Sequence, residues 1–208
     1  MVSVFKSVTG IFVENTYFLV NKEEKWGVIV DPGQHALQFL ERLEIKEINW
    51  KAVFLTHAHL DHLLGLSEIV ERHHPQVYLH EDDLFIYRKF RRKSAKYGYI
   101  KEDLSTPDCF WKDGDTIQMG TTVFKIIHTP GHTPGSVCIY WDNKLLTGDT
   151  LMYHSIGKTE TYSSLEQNKK SVFQKLFTLP NETIIFPGHQ KSSTIGEEVE
   201  YNTQISLK

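Results

Sequence analysis

Cysteine is scarce, with two in 208 residues. Cys109 stands in Cys109-Phe110-Trp111 and Cys138 in Val137-Cys138-Ile139-Tyr140, both apolar or aromatic surroundings. Two are too few for a disulfide framework. Buried free thiols in a reducing compartment are expected, with one Cys109–Cys138 bridge as the alternative. Long apolar runs are missing as well. No stretch approaches eighteen apolar residues, and residues 1–10 carry no basic segment followed by an apolar one. The reading is a soluble, cytoplasmic protein with no membrane partner. Charge of one sign is not in excess either: 23 Lys+Arg against 26 Asp+Glu leave a formal −3. Bulk attraction to nucleic acid needs the opposite balance, so no nucleic-acid partner is expected. Low-complexity and linker-like stretches are absent. Residues 1–208 therefore read as one domain, and 40% hydrophobic content is enough for a sizeable core.

What the chain does have is histidine, 11 in all. The stretch Thr56-His57-Ala58-His59-Leu60-Asp61-His62 sets three imidazoles and one carboxylate directly after the apolar run 52–55. Neutral imidazole and carboxylate are good ligands for zinc and similar divalent metals. A helix would present ligands at i and i+4, so the i, i+2 spacing of His57 and His59 points to a loop at a strand end. Three further donors sit in turns beside Gly or Pro, each after or between β-type runs: His132 in Gly131-His132-Thr133, Asp149 in Gly148-Asp149-Thr150, and His189 in Pro187-Gly188-His189. Singly, each reads as a turn residue. Together they make five histidines and two aspartates, enough for two ions that share one carboxylate.

Strands are expected at 2–8, 17–20 and 26–30, with Asp31-Pro32-Gly33 as a turn. Leu37, Leu40 and Leu43 mark a helix over 35–44. A buried strand follows at 52–55, then a helix over 63–73 with Asp61 near its N-terminus, where a carboxylate suits the dipole. A short strand at 77–79 precedes a strongly charged helix over 81–96. Strands between 116 and 146 make a second sheet. A helix begins at Ser164, with Val172, Phe173, Leu176 and Phe177 on one face. The class is α/β, with two sheets packed face to face and helices outside.

Taken in order, His-x-His-x-Asp-His at 57–62, Gly-His-Thr-x-Gly-Ser at 131–136, Gly-Asp at 148–149 and Pro-Gly-His at 187–189 resemble the metallo-β-lactamase superfamily. Within it, the short hydroxyacylglutathione hydrolase (glyoxalase II)-like hydrolases are most similar. The likeness runs from Glu14-Asn15-Thr16-Tyr17 through Val30-Asp31-Pro32-Gly33 to Thr194-Ile195-Gly196-Glu197-Glu198, with Leu64-Gly65 where a Gly-Gly pair is common. It implies a four-layer αββα sandwich of two mixed sheets, the metallo-β-lactamase fold. It also implies that His57, His59 and His132 hold one divalent ion, that Asp61, His62 and His189 hold a second, and that Asp149 bridges them. Zinc is the first expectation, with iron or manganese as alternatives. Two ions about 3.5–4 Å apart can hold a bridging hydroxide at neutral pH and polarise a carbonyl. Asp61 and Asp149 are then the catalytic carboxylates. Asp61 has two readings, ligand or holder of the attacking water, and ligation is expected because His62 and His189 otherwise lack a third partner. Ser136 and Cys138 read as structural, not as nucleophiles.

For substrate, the resemblance implies an anionic small-molecule thioester such as an acyl-glutathione. A thiolate with pKa about 8.5 leaves with little need of a general acid. Lys158 follows Asp149 by nine residues, matching a lysine that contacts glutathione in glyoxalase II relatives, although Glu160 replaces the aromatic residue that usually comes two positions later. Tyr153 and His154 are further candidates to line the pocket. The run 88–96 holds six basic residues in nine and reads as a solvated helix face or an attractor of anions, with Tyr87, Phe90, Tyr97 and Tyr99 packing beside it. His73-His74 before Pro75 reads as a helix end. The chain extends 19 residues past His189, shorter than the helical domain with which full-length glyoxalase II grips glutathione, so a more open site is expected. The alternative functions are a mononuclear iron oxygenase like the persulfide dioxygenases, and a lactonase or phosphodiesterase on the same two ions.

Overall fold

The apolar run Tyr17-Phe18-Leu19-Val20 lies in a strand whose eight residues are all buried, and the first half of the chain is built outward from it. The computed structural model describes all residues except 44, 46, 100–102, 159–161 and 206–208. The chain divides into two units, Met1–Phe110 and Trp111–Lys208.

The first unit runs β1 (Ser3–Thr9), β2 (Glu14–Asn21), β3 (Trp26–Val30), α1 (Ala36–Arg42), β4 (Asn49–Phe54), α2 (Leu66–His73) and β5 (Gln76–His80). A 3-10 turn (Glu81–Asp83), α3 (Leu84–Tyr87) and α4 (Phe90–Lys96) follow, and β6 (Cys109–Trp111) closes the unit with its last residue past the Phe110 boundary. The sheet order is β1-β2-β3-β4-β5-β6. β1/β2 and β2/β3 are antiparallel, whereas β3/β4 and β4/β5 are parallel. The ends of β1, β3, β4 and β5 and the start of β2 therefore share one edge, and loops at that edge can converge.

The helix expected over 63–73 begins only at Leu66, because the loop after β4 takes up the preceding residues. The N–H of Gly65 donates to Pro32 O at 2.8 Å. The charged helix expected over 81–96 is three pieces, since Asp83 is drawn inward to accept from Ala58 N at 2.8 Å. Position 44, the expected end of α1, lies outside the described residues.

The second unit runs β7 (Thr116–Met119), β8 (Thr122–His128), β9 (Val137–Trp141), β10 (Lys144–Gly148), α5 (Leu165–Ser171), β11 (Ile184–Pro187), β12 (Ser193–Thr194) and α6 (Ile195–Tyr201). Its sheet order is β12-β11-β10-β9-β8-β7, with only β10/β11 parallel among these pairs. β8, β10 and β11 consequently point the same way and end at one edge. Cys138, Leu145, Val172, Leu176, Ile185 and Ile195 form its core.

Ser164 caps α5 as expected, its Oγ accepting from Gln167 N at 3.1 Å. Beyond Ser171 the helix widens into a π turn, Val172–Leu176. Phe177 N donates to Val172 O at 3.0 Å, and the wider turn rotates Phe173 out to 47% exposure while Val172 and Leu176 stay buried. Phe173 thus leaves the apolar face assigned to it. α6 was not foreseen, although Thr194 and Glu197 have capping-box spacing and Thr194 Oγ1 accepts from Glu197 N at 3.2 Å. Among the described residues, no helix is long and apolar enough to cross a membrane.

Candidate metal centre

In the first unit, the ligand-type residues leave the end of β4 as a loop that the rest of the edge holds in place. The His57 and His62 rings lie 4.1 Å apart between centroids, and those of His57 and His59 4.8 Å apart. Asp31, at the end of β3, organises two of them. It is buried in the left-handed region at φ 48, and its carboxylate accepts from Thr56 N at 2.8 Å and from Thr56 Oγ1 at 2.6 Å. A hydroxyl that gives its proton to Asp31 must accept from its other partner, His57 Nδ1 at 3.1 Å. The His57 lone pair is then on Nε2. His62 Nδ1 lies 3.1 Å from Asp31 Oδ2, a close charge contact rather than an aligned hydrogen bond. Sequence reasoning read Asp31 as a turn residue and missed this role.

Behind Asp31 stands Glu14, fully buried, whose Oε2 accepts from Thr9 Oγ1 at 2.7 Å and Thr16 Oγ1 at 3.1 Å. Burial pushes its carboxyl well above the usual carboxylate range, against the opposing pull of His62. Thr16 Oγ1 also accepts from Gly33 N at 2.9 Å. Gly33 packs closely here: a Cβ would overlap both Glu14 Oε2 and Thr9 Oγ1 and force those side chains to shift.

In the second unit, His132 follows β8, Asp149 follows β10 and His189 follows β11, so the codirectional strands deliver all three to one edge. Asp149 Oδ2 lies 3.6 Å from His132 Nε2 and 3.5 Å from His189 Nε2. His132 Nδ1 sits 2.8 Å from Lys158 O, which can only accept, and this again leaves the lone pair on Nε2. Gly157 lies against His132 so closely that a Cβ would meet both its Nδ1 and Asp149 O.

A model of the metallo-β-lactamase superfamily matches residues 9–189. The chain belongs to that superfamily. Hydroxyacylglutathione hydrolase GloC of Haemophilus influenzae is 31% identical, over 91% of this chain and 92% of its own. The solved structure of BLEG-1, a B3 metallo-β-lactamase, is 30% identical with TM-score 0.89, covering 98% of this chain and 100% of that one. TTHA1623, solved in a di-iron-bound form, is 29% identical with TM-score 0.84, covering 96% and 98%. The metallo-β-lactamase fold expected above is therefore the fold of this chain, with two mixed six-stranded sheets and helices beside them.

Metallo-β-lactamase superfamily members are metal-binding hydrolases, and the donor sets here fit a divalent ion. His62 Nε2–Asp61 Oδ2 at 3.7 Å and the two Asp149 separations are too long for hydrogen bonds. They match the ligand-to-ligand edge of a tetrahedron around zinc, about 3.4 Å for bonds of about 2.1 Å.

The other candidates fall as follows. Lys158 is exposed and engages His132 through its backbone. Tyr153 and His154 stack at 3.9 Å, His154 N donates to Glu198 at 2.9 Å, and Lys191 Nζ lies 3.8 Å over Tyr153. Lys191 was not among the expected residues. In the basic run, Phe90 is buried, Arg91 reaches Asp103 at 3.6 Å, and Lys89 covers Phe85. Tyr87 O–H donates to Ser105 O at 2.8 Å, Tyr97 meets Phe12 edge-on, and Tyr99 O–H donates to Gln34 at 2.9 Å. His74 caps α2 in the left-handed region, the helix end expected of it. Ser136 Oγ accepts from Thr133 N at 3.0 Å, a turn role. Both cysteines are free. Cys138 is buried in β9 and its thiol is pushed up to about 12, whereas Cys109 is half-buried.

Proposed function

We propose that this protein hydrolyses anionic thioesters of the acyl-glutathione type at a centre of two divalent ions, zinc first and iron second. His57, His59 and His132 would hold one ion, Asp61, His62 and His189 the other, and Asp149 would serve both. The observation that carries this reading is the pair of half-sets, in each of which one imidazole, His57 in the first and His132 in the second, has its lone pair fixed on Nε2 by a partner on Nδ1. Such ions, when bound, supply an ionised water at neutral pH and a Lewis acid for the carbonyl.

The chain's own residues do the rest. Asp31, through Thr56, holds the tautomer of His57, Lys158 O holds that of His132, and the exposed Lys158 ammonium would meet a substrate carboxylate. Tyr153 and His154 would flank that contact. No side-chain nucleophile is needed: Ser136 is tied in its turn, and Cys138 keeps its proton at neutral pH. Support for the thioester comes from the GloC relative, and for iron from the di-iron form of TTHA1623. The two free thiols suit a reducing compartment such as the cytoplasm.

The test is metal analysis of purified protein beside a panel of thioesters, lactones, phosphodiesters and glutathione persulfide. Close to two ions per chain with thioester turnover is expected. One iron per chain with oxygen uptake and no hydrolysis would overturn the reading.

A further inference from the structure

Three consecutive carbonyls of the turn that carries His132 accept hydrogen bonds from one short stretch of chain. Ser171 Oγ donates to Pro130 O at 2.7 Å, Ser164 N to Gly131 O at 2.9 Å, and Ser163 Oγ to His132 O at 2.5 Å. Just upstream, Lys158 O faces His132 Nδ1 at 2.8 Å and Gly157 N donates to Asp149 O at 2.8 Å. Gly131 packs so tightly on α5 that a Cβ there would overlap the backbone of Asn168, and its φ of 145° is open to glycine.

We infer that Ser163 and Ser171 are positioning residues that set the affinity of the ion held by His132, separately from the ion held by Asp61 and His62. The inference rests on the two-ion reading proposed above. Accepting carbonyls fix the peptide planes on both sides of His132, and with them the direction of its Cα–Cβ bond. Lys158 O fixes the ring. The ligand is thus held at both ends before any ion arrives, and that pre-ordering lowers the cost of capture. His62, a ligand of the other ion, lies instead against Asp31 at 3.1 Å, within the first unit and apart from the serines. Loosening the serine contacts should consequently touch one ion and spare the other.

The experiment titrates zinc into the metal-free full-length protein against a chromophoric chelator, for Ser163→Ala and Ser171→Ala. Thr178→Ala is the control, because it removes a bond of the same kind, Thr178 Oγ1 to Lys175 O at 2.8 Å, away from the turn. Each serine variant should weaken one of the two sites about ten-fold, the scale seen for partners of metal ligands, and leave the other unchanged. Ser163→Thr and Ser171→Thr, which keep the hydroxyl, should recover most of the loss. The thermal midpoint of the metal-free protein should move no further than in Thr178→Ala. Should the buried Ser171→Ala fail to fold, the half-buried Ser163→Ala carries the test alone. Two unchanged zinc sites would overturn the inference while the two-ion reading stands, as would both sites weakening together with the metal-free midpoint. A wild-type chain that binds no zinc would remove both.

Discussion

Asp31 reaches His57 through the bonds from Thr56 and lies 3.1 Å from His62 Nδ1, and this makes a removal experiment specific. Asp31→Asn keeps the shape but loses the charge beside His62 Nδ1 and one acceptor for Thr56. Metal affinity should fall about 10- to 100-fold with the fold retained, measured by zinc competition and circular dichroism. Asp149→Ala removes a group facing two imidazoles, so metal content and turnover should disappear together. Lys158→Ala should behave differently, because the contact to His132 is made by its backbone. Full metal content, an unchanged kcat and a raised KM for anionic thioesters are expected. An unaltered KM would take the side chain out of the substrate site.

Elements explain why those side chains meet and why some of that was legible beforehand. The ligand loops could be read because each is local: apolar run, Gly or Pro, then donor. Asp31 could not, since its partners lie 25 and 31 positions later and are reached only through the parallel pairing of β3 with β4. Phe173 was misassigned because a constant helical period takes no account of the π turn after Ser171. α6 shows the reverse: its capping signal was present at Thr194 and Glu197 but lay outside any apolar stripe long enough to draw notice. At α5, Ser164→Ala should lose about 1 kcal/mol of stability with the cap, lowering the thermal midpoint by roughly 2–4 °C for a chain of this size. Metal content should not change, because the Ser164 contact to Gly131 uses the main chain.

For the whole molecule, alkaline pH is a sensitive condition. Cys138 keeps its proton up to about 12 when folded but gives it up near its ordinary value of 9.0 when unfolded. Below 9 this thiol contributes no pH dependence. From about 9 to about 12 the unfolded chain sheds a proton that the folded chain retains, so stability should fall across that window. Burial raises Tyr17 and Tyr87 too, and their effect has the same sign at higher pH. Urea midpoints between pH 8 and 11 should therefore decline, and less steeply for Cys138→Ala. Chelation is the second test at this scale. An ion present at a hundred times its Kd stabilises the folded state by about 2.7 kcal/mol, so removing metal should lower the midpoint by several degrees, reversibly on adding zinc.

The parallel pairing of β10 with β11 carries an evolutionary consequence. A parallel pair cannot be joined by a tight hairpin, so residues 149–183 must cross over, and geometry alone guarantees a long excursion. On it hang Tyr153, His154 and Lys158, the side chains proposed to choose the substrate. Descendants of a common ancestor could rewrite that taste there without moving a strand. Gly157, Ser163 and Ser171 mark where such tinkering must stop.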